Sequence, residues 1–222
     1  MGSGIRPDRL VAALSAHYGT LRGATSDPFE LVLWENVAYL APPARRLAAF
    51  DDLKRLIGTT PAEILRAKKP ALEKVTAHGI LKSTFADKLR ECAHIARDEF
   101  AGELNTALRV PLPQAKRALQ LFPGIGEPGA EKILLLAGLH ALLAPDSNAL
   151  RVLVRAGLVA DDPSYAKMYA ASRKVQQALP ASIPAMQQAH LVLQLHGQQL
   201  CKRSAPRCGA CPLARECPSA AV

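Results

Sequence analysis

The sequence predicts an all-α fold, and three observations carry that prediction. Apolar residues recur at i, i+3 and i+4 in segment after segment, the spacing that gives a helix one buried face. Many of these segments open with Asp, Thr or Ser and stop near Gly or Pro, and the seventeen prolines fall mainly between them. No convincing strand interrupts the series.

In chain order the pattern predicts helices in PDRLVAALSAHYG from residue 7, DPFELVLWENVAYLA from 27, ARRLAAFDDLKRLIG from 44 and TPAEILRA from 60. It continues with FADKLRECAHIARDEF from 85, LPQAKRALQLF from 112, SNALRVLVRAG from 147 and YAKMYAASRKVQQAL from 165. A chain of 222 residues, 49% hydrophobic, can build one large domain or two small ones around a real core. It has no run of eighteen apolar residues, and its N-terminus lacks a signal-like pattern, so a cytoplasmic protein without a membrane span is expected. The balance of 28 Lys and Arg against 19 Asp and Glu gives a net charge of +9, which suits a polyanion as partner.

The helix from Asp27 is the most apolar of the set. Asp27 is placed to N-cap it, Pro28 opens its first turn and Glu30 completes a capping-box start. Glu35 shares a stripe with Leu31 and Tyr39, inside the expected burial. A carboxylate there requires a dedicated partner or a proton held on the acid.

Residues 114–138 read as two helices joined by Phe122-Pro123-Gly124-Ile125-Gly126. Two glycines one residue apart permit positive φ and close approach of another backbone. The amides opening the second helix then make a seat for an anion, with Ile125 anchoring the turn in the core. Further on, Asp146 is placed to N-cap the helix from Ser147. Four of the five cysteines stand at 201, 208, 211 and 217. In a reducing compartment such a cluster ligates metal more readily than it forms disulfides, and four thiolates alone leave iron–sulfur and zinc both open. Cys92, within a helix, reads as a buried filler.

DPFELVLWENVAYL, LFPGIGEPGAEKI, PDSNALRVLVR and HGQQLCKRSAPRCGACPLAREC, in that order, resemble the endonuclease III superfamily of helix-hairpin-helix DNA glycosylases. The resemblance covers nearly the whole chain. It implies an all-α, two-lobed fold, with residues 32–138 forming a six-helix lobe and 1–31 plus 139–222 a cluster lobe. It also implies a monomer acting on double-stranded DNA that carries a lesion or mismatch, with the target nucleotide rotated out of the duplex. Cys201, Cys208, Cys211 and Cys217 match the superfamily's [4Fe–4S] ligand run, and Lys202, Arg203 and Arg207 its basic DNA-facing loop. Gly124, Ile125, Gly126 and Gly129 match the backbone-binding hairpin. Asp146 matches the catalytic aspartate beside the flipped sugar.

Bifunctional members carry a lysine two residues after the second hairpin glycine; here that residue is Pro128. Lys132 is the nearest amine and is expected to face elsewhere, so water attacks and an abasic site is left. Glu35 aligns with the glutamate by which MutY-type enzymes protonate a departing purine, which slightly favours a purine substrate. Leu40 occupies the place of the superfamily's glutamine wedge, and Trp34, Asn36, Tyr39 and Pro128 are candidate pocket residues. A DNA-scanning protein without catalysis, a bifunctional glycosylase/lyase and an electron carrier stand as alternatives.

Overall fold

The computed structural model describes residues 5–38 and 40–220. In chain order its helices are α1 (Pro7–Tyr18), α2 (Pro28–Val37), α3 (Pro43–Leu56), α4 (Pro61–Arg66), α5 (Lys69–Thr76), α6 (Lys82–Phe100) and α7 (Leu104–Ala107). They continue with α8 (Leu112–Leu119), α9 (Glu127–Leu136), α10 (Ser147–Arg155), α11 (Tyr165–Ala171), α12 (Arg173–Gln177) and α13 (Ile183–Gln199). No strand occurs among the described residues, as the periodicity predicts, and none of their helices is long and apolar enough to cross a membrane.

The chain forms two units. One comprises Ala24–Leu139 and the other Met1–Gly23 with His140–Val222. Residues 24–31 thus fall in the central unit and not, as expected, with the termini. The reason is packing: α2 is one continuous helix, and Phe29 and Leu31 in its first turns join the same buried cluster as Leu33, Phe50, Leu89, Phe122 and Ile133. Burial of apolar area on this scale is what holds short helices that would be marginal alone.

Asp27 caps α2 as expected, its side chain accepting the Glu30 N–H at 2.8 Å. The reciprocal half of the box is absent, because Glu30 is drawn away to Thr59 Oγ1 at 2.8 Å and Lys54 at 2.9 Å. A complete capping box stands instead at Thr60 and Glu63, opening α4.

In the other unit α13 packs against both α1 and α10. Leu10, Leu14, Leu150, Leu153, Met186, Val192 and Leu193 supply its core. The single helix expected from Tyr165 is broken into α11 and α12 at Ser172, which is fully buried and donates its hydroxyl to the Tyr169 carbonyl at 2.6 Å.

Candidate functional site

In the central unit, α8 and α9 form the hairpin. Only Gly124 adopts a left-handed backbone, φ 74°; Gly126, at φ −87°, N-caps α9 in an extended conformation. Ile125 and Phe122 are buried and pin the bend, while Gly124 and Gly126 are exposed. Among the described residues neither glycine amide is engaged by a protein acceptor. A β-carbon at Gly126 would approach only the Pro128 ring, at 4.0 Å, so the space before the first turn of α9 is open. Gly129 lies behind it, where a β-carbon would touch Ile125 at 3.6 Å.

Lys116 on α8 bridges to Glu127 and, at 3.1 Å, to the buried Glu131 on α9, tying the two arms together. Lys88 on α6, a residue the sequence reading did not single out, brings its ammonium to 3.9 Å from where a Gly124 β-carbon would lie. Gly124→Ala should cost about 1–2 kcal/mol of stability from the left-handed backbone alone. It should also weaken anion binding at the bend, as read by denaturation and by titration with duplex.

Glu35 has the dedicated partner its setting demands. Lys132 Nζ lies 2.7 Å from Glu35 Oε2, and both side chains are about one-sixth exposed (16% and 17%). Lys132 therefore does not face elsewhere. It stands four residues after Pro128, on the same side of α9, and α9 packs against α2. Asn36 is buried, donates to the Val32 carbonyl at 3.1 Å and sets its Oδ1 against Gly124. Trp34 is half-buried, edge-on to Phe50 at 5.4 Å, with the Arg46 guanidinium over its ring. Tyr39 lies outside the described residues.

Leu40 is 69% exposed and held at φ 62°, a backbone region that bulky residues occupy only under strain. Ile80, which the sequence reading missed, is 70% exposed. Its turn runs against the same segment, since a β-carbon at Gly79 would lie 3.5 Å from Ala38 Cα.

In the other unit, Asp146 N-caps α10. Its Oδ1 accepts the Asn148 and Ala149 amides, both at 2.9 Å, and its Oδ2 accepts the Gln194 side chain at 2.8 Å. Tyr165 donates its hydroxyl to the Pro145 carbonyl at 3.2 Å and stacks on Tyr169. Burial, and then the charge of Asp146, push the Tyr165 phenol up to about 12.

Cys201, Cys208, Cys211 and Cys217 carry free thiols and line one cavity together with Val152, Arg155 and His196. The Leu213 amide donates to Cys211 Sγ at 3.4 Å and Arg155 to Cys201 Sγ at 3.5 Å. Among the described residues no three His, Cys, Asp or Glu side chains close around a position for a single metal ion. Arg203 and Arg207 are exposed on the loop between the first two cysteines and Lys202 is partly so; Arg155 holds the carbonyls of Lys202 and Arg203. Cys92 is fully buried, and burial pushes its thiol far above the usual range.

Solved structures share this fold. Endonuclease III in a non-covalent complex with DNA superposes with a TM-score of 0.77 at 20% identity, covering 95% of this chain and 93% of that one. The chain has the endonuclease III fold. Trapped endonuclease III bound covalently to DNA gives a TM-score of 0.75 at 19% identity over 95% of this chain and 93% of that one. A thermostable thymine-DNA glycosylase gives 0.74 at 18% over 95% and 94%. In sequence, an alignment 136 positions long is 29% identical to the DNA glycosylase/AP lyase ROS1 of Arabidopsis thaliana; it covers 55% of this chain and only 10% of that protein's length. No family model matches.

Proposed function

We propose that the chain is a monofunctional DNA glycosylase that cuts the N-glycosidic bond of a damaged or mispaired base in double-stranded DNA, purines slightly favoured, and leaves an abasic site. The observation that carries this reading is Asp146: a carboxylate fixed by N–H donors at the start of the helix that follows the hairpin, in a chain with the endonuclease III fold. An anion so held stabilises the positive charge that grows on a sugar as its base departs. Water then adds to C1′, the bond electrons leave with the base, and the base gains a proton as water loses one.

Glu35 is the candidate donor of that proton, which it takes up from solvent before the base leaves, and Lys132, 2.7 Å away, holds the acid in place. Pro128 offers no amine. Lys132, held in an ion pair, lacks the lone pair that addition to the sugar requires. Exposed Gly124 and Gly126 amides with Lys88 beside them suit a DNA phosphate, and the basic 202–207 loop suits another. Exposed Leu40, and exposed Ile80 on a turn that runs against the same segment, suit an apolar wedge between bases.

The four cysteines fit a [4Fe–4S] cluster: unpaired thiols on one cavity wall, with N–H donors aimed at two of the sulfurs. Bound there, the cluster would chiefly brace the 201–217 loop.

Duplexes carrying single lesions, incubated with the protein and then treated with alkali, test the reading. Strand breaks that appear only after alkali support it, whereas binding without release from any lesion indicates a scanning protein. Borohydride should trap no adduct; an adduct lost in Lys132→Met would overturn the monofunctional assignment. Glu35→Gln should slow purine release by about 10²- to 10⁴-fold, the range for a lost general acid.

A further inference from the structure

One face of α13 follows the segment around Asp146 residue by residue. His190, Gln194 and Gly197 recur at i, i+4 and i+7, so they share that face. His190 Nδ1 donates to the Ala144 carbonyl at 2.9 Å, and Gln194 Nε2 to Asp146 Oδ2 at 2.8 Å. Gly197 lies so close to the start of α10 that a β-carbon on it would fall 2.5 Å from the Asn148 carbonyl oxygen. Arg151 of α10 closes the set, donating to the Gly197 carbonyl at 2.7 Å.

We propose that Gln194 is a positioning residue for Asp146, its side-chain amide fixing the plane of the carboxylate and the direction in which Oδ2 faces the sugar. The proposal rests on the reading of Asp146 as the catalytic anion. Oδ1 is committed to two backbone amides and serves the cap, which leaves Oδ2 as the oxygen that serves chemistry. The Asn148 side-chain amide also approaches Oδ2, at a long 3.4 Å, and Asn148 is itself held by Arg151 at 2.8 Å. Gln194 thus adds a short contact on Oδ2 to the two backbone amides on Oδ1, and together they set rotation about the Asp146 Cβ–Cγ bond. A neutral donor suits this task, because it orients the anion without cancelling the charge the reaction uses, as a lysine or arginine at that place would.

Two substitutions test it in the full-length protein, on a lesion duplex that the wild type processes. Gln194→Met keeps the length and removes the donor. Base release under single-turnover conditions should fall about 10- to 100-fold, the scale of a misplaced catalytic group, with the affinity for duplex unchanged. Gln194→Glu sets a second carboxylate against Asp146, and like charges oppose ionisation. The acid limb of the pH–rate profile should therefore move upward by about one unit. Titratable groups around Asp146 include Arg151 on α10 and Tyr165 on α11, both of which feel its charge, and His190 on the same face of α13, held by the Ala144 carbonyl; all three remain in both variants. Should Gln194→Met fail to fold, the Gln194→Glu profile decides.

Wild-type rate in Gln194→Met, or an unmoved profile in Gln194→Glu, while Asp146→Asn is inactive, overturns the positioning role alone. Full activity in Asp146→Asn overturns the underlying reading of Asp146, and the role of Gln194 with it.

Discussion

Asp146→Asn should abolish base release and leave the chain folded. The carboxylate has two tasks, and this substitution separates them. Asn is as good an N-cap as Asp, and its side-chain oxygen can keep both amides that Oδ1 now accepts. The negative charge is lost, and with it the stabilisation of the sugar cation. Single-turnover release should fall by about 10²- to 10³-fold or more, the effect of deleting one preorganised electrostatic group. The thermal midpoint should stay close to that of the wild type. Asp146→Ala, by contrast, loses charge and cap together and should be less stable by a further 0.5–2 kcal/mol, roughly the worth of a cap. Equal rates for Asp146→Asn and wild type would remove the carboxylate from the chemistry.

Gly197→Ala should damage both the fold and the site. On propensity alone the change would help, since Ala exceeds Gly in a helix interior by about 1 kcal/mol. Here the new methyl would meet the Asn148 carbonyl oxygen at 2.5 Å and its carbon at 2.8 Å, and backbone atoms cannot swing aside as a side-chain tip can. Overpacking of this kind costs about 1–3 kcal/mol or more, so the clash outweighs the propensity gain. Relief requires α10 to separate from α13, which pulls Asp146 away from Gln194. The variant should unfold at lower denaturant and release base more slowly even where it is folded. Unchanged values of both would show that the α10–α13 contact does not govern the site.

The all-α architecture was legible because each exposed or half-buried helix writes a one-sided apolar stripe into the sequence. The Asp27 and Asp146 caps were legible for a similar reason, each being completed within three residues of chain. What escaped is long-range. Nothing near Glu30 announces Lys54 and Thr59, which take it from its expected box. Nothing beside Asp146 announces Gln194, 48 residues on. Residues 183–199 gave no clear single stripe because α13 is covered on more than one side, by α1 and by α10, so the helix that grips the aspartate was overlooked. Lys132 was misjudged because one helical turn was read as a change of face. Four residues return a side chain to nearly the same side, and there Glu35 meets it.

The most direct measurement is a structure of the complex with a duplex carrying an uncleavable abasic-sugar analogue. The account predicts the analogue turned out of the helix with its C1′ position beside Asp146 Oδ2, Gln194 still bound to that oxygen, and a DNA phosphate on the Gly124 and Gly126 amides. A sugar bound away from Asp146, or a hairpin bend that touches no phosphate, would contradict it.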